Sequence, residues 1–482
     1  MYHNSRGGCR KASALLALLT LIFSLRYDKI EERKAKGDFM KKLLLFLSII
    51  ILSLVLFSCG NKVELMDYKI VIPQNADIST KYASEIFADI VEEKSGIRLE
   101  IVTDEAPETK CEFLIGETNR KQSKTDTSPE GNEYFLFKKD KKIVMKASGI
   151  YIGAPLSEFV NKYARMNENG ECKIGDVPKK PTVLTFESSA DYENVIFMIG
   201  DGMGENHIAM AEQNGMGTFI PRAYPVIGTV KTRSQSEIDK TATATDSSAS
   251  ATAMATGYKT LNGYVGVDKN GNPVQNVREL AFSVGAKTAV VTTDLITGGT
   301  PSAYLCHNAS RENDLELEEE INTIVTEGKI DYMAGEVADN LTNSTKEALK
   351  TVSKKGSQFF IMIEEGQIDK ASHDKDEDKA IEYVKRYNDA IAYATQFVIF
   401  HPKTALVVTA DHETGKLTKS SGAPLGYFFL AYNHTNKDVP VFQFGAGVLD
   451  ANEKTIENTD LAKFCARAYS TNPFGQTEPI GE

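Results

Sequence analysis

Tryptophan is absent from this 482-residue chain, histidine occurs seven times and cysteine only six. The cysteines are too few and too scattered for a disulfide scaffold, and no CxxC pair marks a structural zinc module. Any metal site must draw on a small pool of histidines. Long apolar runs are missing too: the two longest, 14–25 and 43–57, fall short of the roughly 20 residues a membrane-crossing helix needs. Basic residues are in deficit, 55 against 66 acidic, for a formal net charge of -11. That balance excludes nucleic-acid binding through global positive charge. What remains is ordinary globular composition, 41% hydrophobic and 25% charged, with length for two or three domains.

The second apolar run has the layout of a secretory signal, with Met40-Lys41-Lys42 ahead of it and Leu56-Phe57-Ser58-Cys59 behind. The tetrapeptide resembles the lipobox of bacterial lipoproteins, which makes Cys59 the expected lipid-modified first residue of the mature chain. The plainer alternative is a signal anchor over 43–57. Residues 1–58 are therefore expected to be a signal peptide, those before Met40 reading as an upstream mis-start or extension. The mature protein is expected to be exported and lipid-anchored to the bacterial cell envelope or periplasm. Removing 1–58 leaves 45 basic against 62 acidic residues, a net charge of -17. Cys111, Cys172, Cys306 and Cys465 then remain beyond Cys59, as disulfides or as buried thiols.

Two bodies follow. Residues 59–180 are expected to form a small α/β accessory domain: a strand over 68–72, a helix over 79–95 stopped at Gly96, strands at 99–102, 112–115, 134–137 and 143–146, and a helix over 156–163. It loosely resembles the domains that precede catalytic domains in some exported glycan-active enzymes, carries no catalytic motif, and reads as a packing or spacer unit. Pro178 and Pro181 mark 175–193 as the linker. Over 190–482, four almost wholly apolar runs (195–199, 289–291, 359–363 and 406–408) alternate with helical stretches. Strands buried on both faces of a parallel sheet read this way. An α/β fold is expected, with a doubly wound, mainly parallel sheet and helices on both faces.

Ligands of such sheets lie beyond the carboxyl ends of the strands. Asp201 stands there after the first run, Glu364, Asp369 and His373 after the third, and Asp411 and His412 after the fourth, with His434 following later. Mixed carboxylate and imidazole donors suit zinc, and the four-residue step from Asp369 to His373 puts both on one side of a helix. A single Asp–His pair is more often a surface ion pair; a series of them at successive strand ends points to a site. A second signal is Asp246-Ser-Ser-Ala-Ser-Ala-Thr-Ala253. Asp246 caps a helix beginning near Ser247, where free backbone N–H groups and the helix dipole favour an anion. Metal coordination would make that serine a nucleophile at ordinary pH; taken alone, the run is a small-residue packing helix. Arg311 offers a planar guanidinium that fits two phosphate oxygens.

These segments resemble the alkaline phosphatases. Residues 199–204, 246–253, 300–311, 364–373, 409–412 and 434–435 with 438–441 occur in that family's order across 194–447. The resemblance implies a phosphate monoesterase with two zinc ions and one magnesium ion. It implies Ser247 as the phosphorylated, metal-coordinated nucleophile. Asp369, His373 and His434 match the ligands of one zinc, and Asp201, Asp411 and His412 those of the other. Asp201, Thr300 and Glu364 match the magnesium site, Arg311 matches the phosphate clamp, and Lys370 adds a cation near the phosphate. Gly298 departs from the pattern, since the family usually carries Asp or His there to support the magnesium shell; a third metal of altered affinity is expected. A homodimer fits the family, but the 22 positions from His412 to His434 leave little space for the insertion through which some relatives dimerise.

The expected function is thus an exported alkaline phosphatase acting on small phosphate monoesters through a phosphoserine. A phosphodiesterase of the same superfamily is the alternative, against which Arg311 argues, because a diester carries less charge for it to neutralise. A sulfatase is disfavoured because no Pro and Arg follow Ser247. The remaining alternative is a surface glycan-binding lipoprotein with a decayed catalytic domain, supported by Gly298 alone.

Overall fold

The computed structural model describes residues 65–166, 172–337, 340–469 and 473–477. The expected signal peptide and the lipidation site Cys59 lie outside the described residues. The described residues form one compact unit with two main sheets.

The first sheet contains β1 (Tyr68–Ile72), β2 (Ile101–Thr103), β3 (Cys111–Ile115), β4 (Glu133–Lys139), β5 (Lys142–Ala147) and β6 (Val183–Thr185), in the order 2-1-3-5-4-6. Only β4 runs against the others. Its core is Val71, Leu114, Phe135, Phe137 and Val144. Helix α1 (Ile78–Ser95) begins where the Asp77 carboxylate accepts the Thr80 N–H at 2.7 Å. It ends at Gly96, whose φ of +69° needs no side chain in the way. Strand β6 corrects the expected linker. The β-branched Val183 and Thr185 extend along the edge of the sheet opposite Glu133 and Phe135. The expected 156–163 helix also divides: α-helix covers Gly153–Glu158, and Phe159–Tyr163 winds more widely.

The second sheet contains β7 (Asn194–Gly200), β8 (Val226–Lys231), β9 (Lys287–Thr292), β10 (Tyr332–Ala334), β11 (Phe359–Glu365), β12 (Thr404–Thr409), β13 (Val439–Gly445) and β14 (Thr455–Glu457). Their order is 10-9-11-7-12-13-8-14, and only β13 is antiparallel. The four apolar runs are the four adjacent strands 9-11-7-12, buried along nearly their whole length. The helices that matter for the site are α2 (Glu205–Ala211), α3 (Ser247–Thr256), α4 (Gly299–Leu305), α5 (Leu341–Val352), α6 (Gln367–Asp374), α7 (Glu377–Phe400) and α8 (Asn458–Ala466). Helices α5 and α7 pack together on one face, and α3, α4 and α8 on the other. No helix among the described residues is long and apolar enough to cross a membrane.

Helix α7 also carries the first lobe. Tyr393 meets Tyr82 of α1 edge-on at 5.5 Å, while Gln396 accepts the Gly153 N–H and donates to the Ile150 carbonyl. Cys111, Cys306 and Cys465 are buried free thiols.

Inside the first lobe, Glu112 is 1% exposed and binds Lys142 at 2.5 Å and Arg120 at 3.3 Å. Burial favours its neutral form, but Lys142 and the Thr109 N–H outweigh this and hold the carboxyl below its ordinary value. Glu112→Ala should cost about 3 kcal/mol, read from urea denaturation, because it strips a buried lysine and arginine of their shared partner. A depressed carboxyl stabilises above its unfolded pKa, so the gap between parent and variant should close as pH falls below about 4.

Candidate metal and phosphate site

The carboxyl ends of β7, β11 and β12 lie side by side, and the residues that leave them meet. Asp201 follows β7, Glu364 is the penultimate residue of β11, and Asp411 and His412 follow β12. Gly202 turns the chain sharply after Asp201 at φ +74°; a Cβ there would sit 2.9 Å from Asp369 Oδ1. Only glycine allows that approach.

Three histidines present their Nε2 atoms to this space. His373 Nδ1 bonds the Tyr432 carbonyl, and His434 Nδ1 bonds the Thr245 carbonyl at 2.9 Å. A carbonyl only accepts, so both Nδ1 atoms carry a proton, and in the neutral ring each Nε2 is the acceptor a metal requires. Thr414 donates to Asp369 and so accepts from His412 Nδ1 at 3.2 Å, giving the same tautomer a third time. The Nε2 atoms of His373 and His434 are 3.0 Å apart. His434 Nε2 lies 3.5 Å from Asp369 Oδ1, and His373 Nε2 3.3 Å from Asp369 Oδ2. His412 Nε2 lies 3.2 Å from Asp411 Oδ2 and 3.6 Å from Asp201 Oδ1.

The arrangement forms two groups of convergent donors, Asp201/Asp411/His412 and Asp369/His412/His434, with His373 adjoining the second. Asp201 Oδ1 and Asp411 Oδ2 are buried without a hydrogen-bond donor, as is the hydroxyl of Thr300. Buried acceptors facing one another without donors are costly unless a cation lies between them. The electrostatics agree. Burial, then the Asp411 charge, pushes Asp201 well above the carboxylate range. Burial pushes Asp411 up to about 6 and Glu364 to about 8. Burial works the same way on Asp369, but its bond to His373 and the charges of His412 and His434 draw it down. The donor set fits divalent metals: nitrogen and carboxylate for zinc in the two groups, and the all-oxygen set of Asp201, Thr300 and Glu364 for magnesium.

Ser247 is the first residue of α3, nearly buried, with its hydroxyl 3.2 Å from His412 Nε2. Asp246 caps the helix by accepting the Ala249 N–H at 3.0 Å. Its other oxygen accepts from Gly263 and stands 3.6 Å from Arg311 Nη1. Gly299 makes room for that guanidinium, since a Cβ there would approach Arg311 Cζ to 2.8 Å. Lys370 is half-exposed and pairs with Asp294, on the turn after β9. A side chain at Gly298 would begin 3.1 Å from Asp294 Oδ2, so a carboxylate does stand beside that position, brought from four residues upstream.

Every site residue expected from the sequence, Cys59 apart, therefore lies on this sheet edge or the turns beside it. Sequence reasoning missed Thr414, Thr245 and Asp294. Thr414 and Thr245 lie in or next to recognised segments, but a hydrogen-bonding role behind a ligand leaves no spacing signal. His207 illustrates the converse: it is fully buried and bonded to Gly204 and Ser372, and burial lowers it to about 3, so it is a neutral packing residue.

Residues 192–340 and 329–456 match the family model described as alkaline phosphatase. Alkaline phosphatase 4 of Bacillus subtilis strain 168 is 33% identical over 298 residues, which is 48% of this chain and 64% of that protein. Alkaline phosphatase 3 of the same strain is 27% identical over 305 residues, 50% of this chain and 65% of that protein. The chain thus spans slightly less than two thirds of either relative. Among solved structures, the alkaline phosphatase from the Antarctic bacterium TAB5 aligns with a TM-score of 0.54 at 25% identity, covering 59% of this chain and 100% of that one. A variant of that enzyme with Mg bound in the M3 site aligns with a TM-score of 0.53 at 25% identity, with the same coverage. The family match begins beyond the first sheet.

Stripping divalent metal with a chelator should lower the unfolding temperature, and added Zn2+ should restore it, because ligand bound only to the folded state stabilises by about 2.7 kcal/mol at a hundredfold excess over Kd. His412→Ala should reduce zinc stoichiometry measured by atomic absorption, whereas His307→Gln, which alters a histidine paired with Glu279 outside both groups, should leave it unchanged. Equal zinc content in all three proteins would refute this placement of the metals.

Proposed function

Since the chain belongs to the alkaline phosphatase family, we propose that it is a metal-dependent phosphatase that hydrolyses phosphate monoesters through a phosphoserine at residue 247. The observation that carries this reading is the Ser247 hydroxyl, held at a helix N-terminus 3.2 Å from His412 Nε2 and beside two groups of ligand atoms. Zinc in those groups would lower the pKa of the serine hydroxyl and of water, and would stabilise charge on the entering and leaving oxygens.

The chain's own residues account for the rest. Ser247 Oγ attacks phosphorus as the bond from phosphorus to the ester oxygen breaks; the alcohol departs with a proton, leaving the phosphoryl group on Ser247. Water then attacks the phosphoserine: its oxygen joins phosphorus as the bond from phosphorus to Ser247 Oγ breaks, one of its protons passes to Ser247 Oγ, and phosphate leaves with the other. The free N–H groups at the start of α3 and the fork of Arg311 face the non-bridging oxygens. Asp246 holds Arg311 from behind without claiming its whole fork, since the pair is 3.6 Å apart. Thr414, Tyr432 and Thr245 keep the protons of His412, His373 and His434 on Nδ1, so that Nε2 stays free. A monoester dianion gains more from Arg311 than a diester monoanion, which favours monoesters. Export as a lipoprotein belongs to the same proposal and is supported by the pattern at 40–59.

The test is hydrolysis of p-nitrophenyl phosphate and bis-p-nitrophenyl phosphate at alkaline pH, with chelator and with restored Zn2+ and Mg2+. Zinc-dependent monoester turnover well above diester turnover is expected; the reverse order would favour a phosphodiesterase. Ser247→Ala should reduce kcat by at least about 10³-fold, as expected when a covalent route is removed. Arg311→Ala should cost about 2–4 kcal/mol in kcat/KM for the monoester, with a smaller effect on the diester.

A further inference from the structure

Glu365, the last residue of β11, is wholly buried next to Glu364 but takes no part in the chemistry above. Its carboxylate accepts both arms of the Arg386 fork, at 2.6 and 2.8 Å, the Thr293 hydroxyl at 2.7 Å and the Gln367 N–H at 3.1 Å. Oε1 accepts three of these bonds and Oε2 the fourth, so the carboxylate is committed to partners within the protein. In this it is unlike Glu364. We propose that the Glu365–Arg386 pair is a positioning device that fixes the turn bearing Asp369 and His373; the proposal rests on the metal-dependent reading above.

The bonds of this one residue reach the turn after β9, the start of α6 and the end of β7. Its own carbonyl accepts the Asp201 N–H at 3.1 Å, which ties the end of β7 to the end of β11. The Gln367 N–H it accepts opens α6, and Asp369 and His373 lie two and six residues further along that helix. Thr293, which donates to Glu365, accepts the Gly366 N–H at 2.9 Å and, through its carbonyl, the Gln367 side chain at 2.9 Å. Thr293 is followed by Asp294, the partner of Lys370. Three strand-end turns are thereby cross-linked around one anion.

Arg386 closes the assembly from behind. It lies on α7, the longest described helix, which is itself held at Gln396 by two bonds to the first lobe. Its planar fork fixes direction as well as distance, which a lysine ammonium does not. A buried ion pair of this kind is weak evidence for stability, since an uncharged pair of similar volume is often no less stable. Its distinctive contribution is geometric. Metal ligands must hold their distances within about 0.2 Å, and groups behind the ligands change metal affinity by about 10–100-fold.

The experiment compares Zn2+ titration, by calorimetry on chelator-stripped protein, with thermal unfolding of the same samples. The double variant Glu365→Gln/Arg386→Met removes both charges and leaves neither buried alone. It should unfold within a few degrees of the parent when metal-free, yet bind Zn2+ about tenfold or more weakly and show a reduced kcat at saturating Zn2+. Arg386→Lys keeps the charge but loses the fork, and it should weaken Zn2+ binding in the same direction; it decides the matter if the double variant does not fold. Parent-like Zn2+ affinity in either folded variant would overturn the positioning role. A parent protein that binds no Zn2+ would overturn the underlying metal reading, and that measurement comes before any variant is made.

Discussion

Bare acceptors crowd together at the carboxyl ends of three adjacent parallel strands, and the structure around them is organised to keep them there. The Nε2 atoms of His373, His412 and His434 and the carboxylates of Asp201, Asp369 and Asp411 share a small, largely buried volume. Without a cation, their mutual repulsion and lost hydration are paid in raised pKa values at Asp201, Asp411 and Glu364. Such a centre persists only if its surroundings resist its relaxation. The carbonyls of Tyr432 and Thr245 and the hydroxyl of Thr414 fix the imidazoles. Gly202 lets the Asp201 turn approach α6, and the Glu365 carboxylate cross-links the turns.

The phosphate side is built by a different device. Ser247 is presented by a helix of small residues, buried throughout, that packs closely on α4 and α8. Ser250 bonds the Asp411 carbonyl at 2.6 Å, so the helix that begins at Ser247 is tied to the strand end that carries Asp411 and His412. Gly299 clears the space that Arg311 occupies. Arg311 and Lys370 are the cations brought beside these carboxylates, each paired with an aspartate, on a chain that is acidic overall.

The first lobe shares no matched segment with the family model, yet it is joined to the larger sheet's lobe by side chains rather than merely tethered. Tyr82 against Tyr393, and Gln396 against Gly153 and Ile150, fasten it to α7, the helix that also presents Arg386 to Glu365. Strand β6, drawn from a proline-containing stretch that reads as a linker, completes its edge. Extended linkers and edge strands look alike in sequence, because both are short and half-exposed. What separates them is a neighbour offering hydrogen bonds, here β4.

The amino-acid sequence was sufficient to indicate the four central strands, because burial on both faces demands unbroken apolar runs. It was also sufficient to indicate nearly all the carboxylates and imidazoles that meet at the strand ends, because metal-binding chemistry restricts residue type and strand-end placement restricts spacing. The flanking strands β8, β10, β13 and β14 were not legible, being short, partly exposed or, in β13, interrupted by Pro440. Nor were the groups that hold the ligands. The Glu365–Arg386 pair spans 21 positions, Asp294 reaches Lys370 across 76, and Ser250 reaches Asp411 across 161. Hydrogen bonds between distant segments leave no periodicity to read. They arise only when the sheet sets its strands in the order 9-11-7-12, and that order is decided by the tertiary packing.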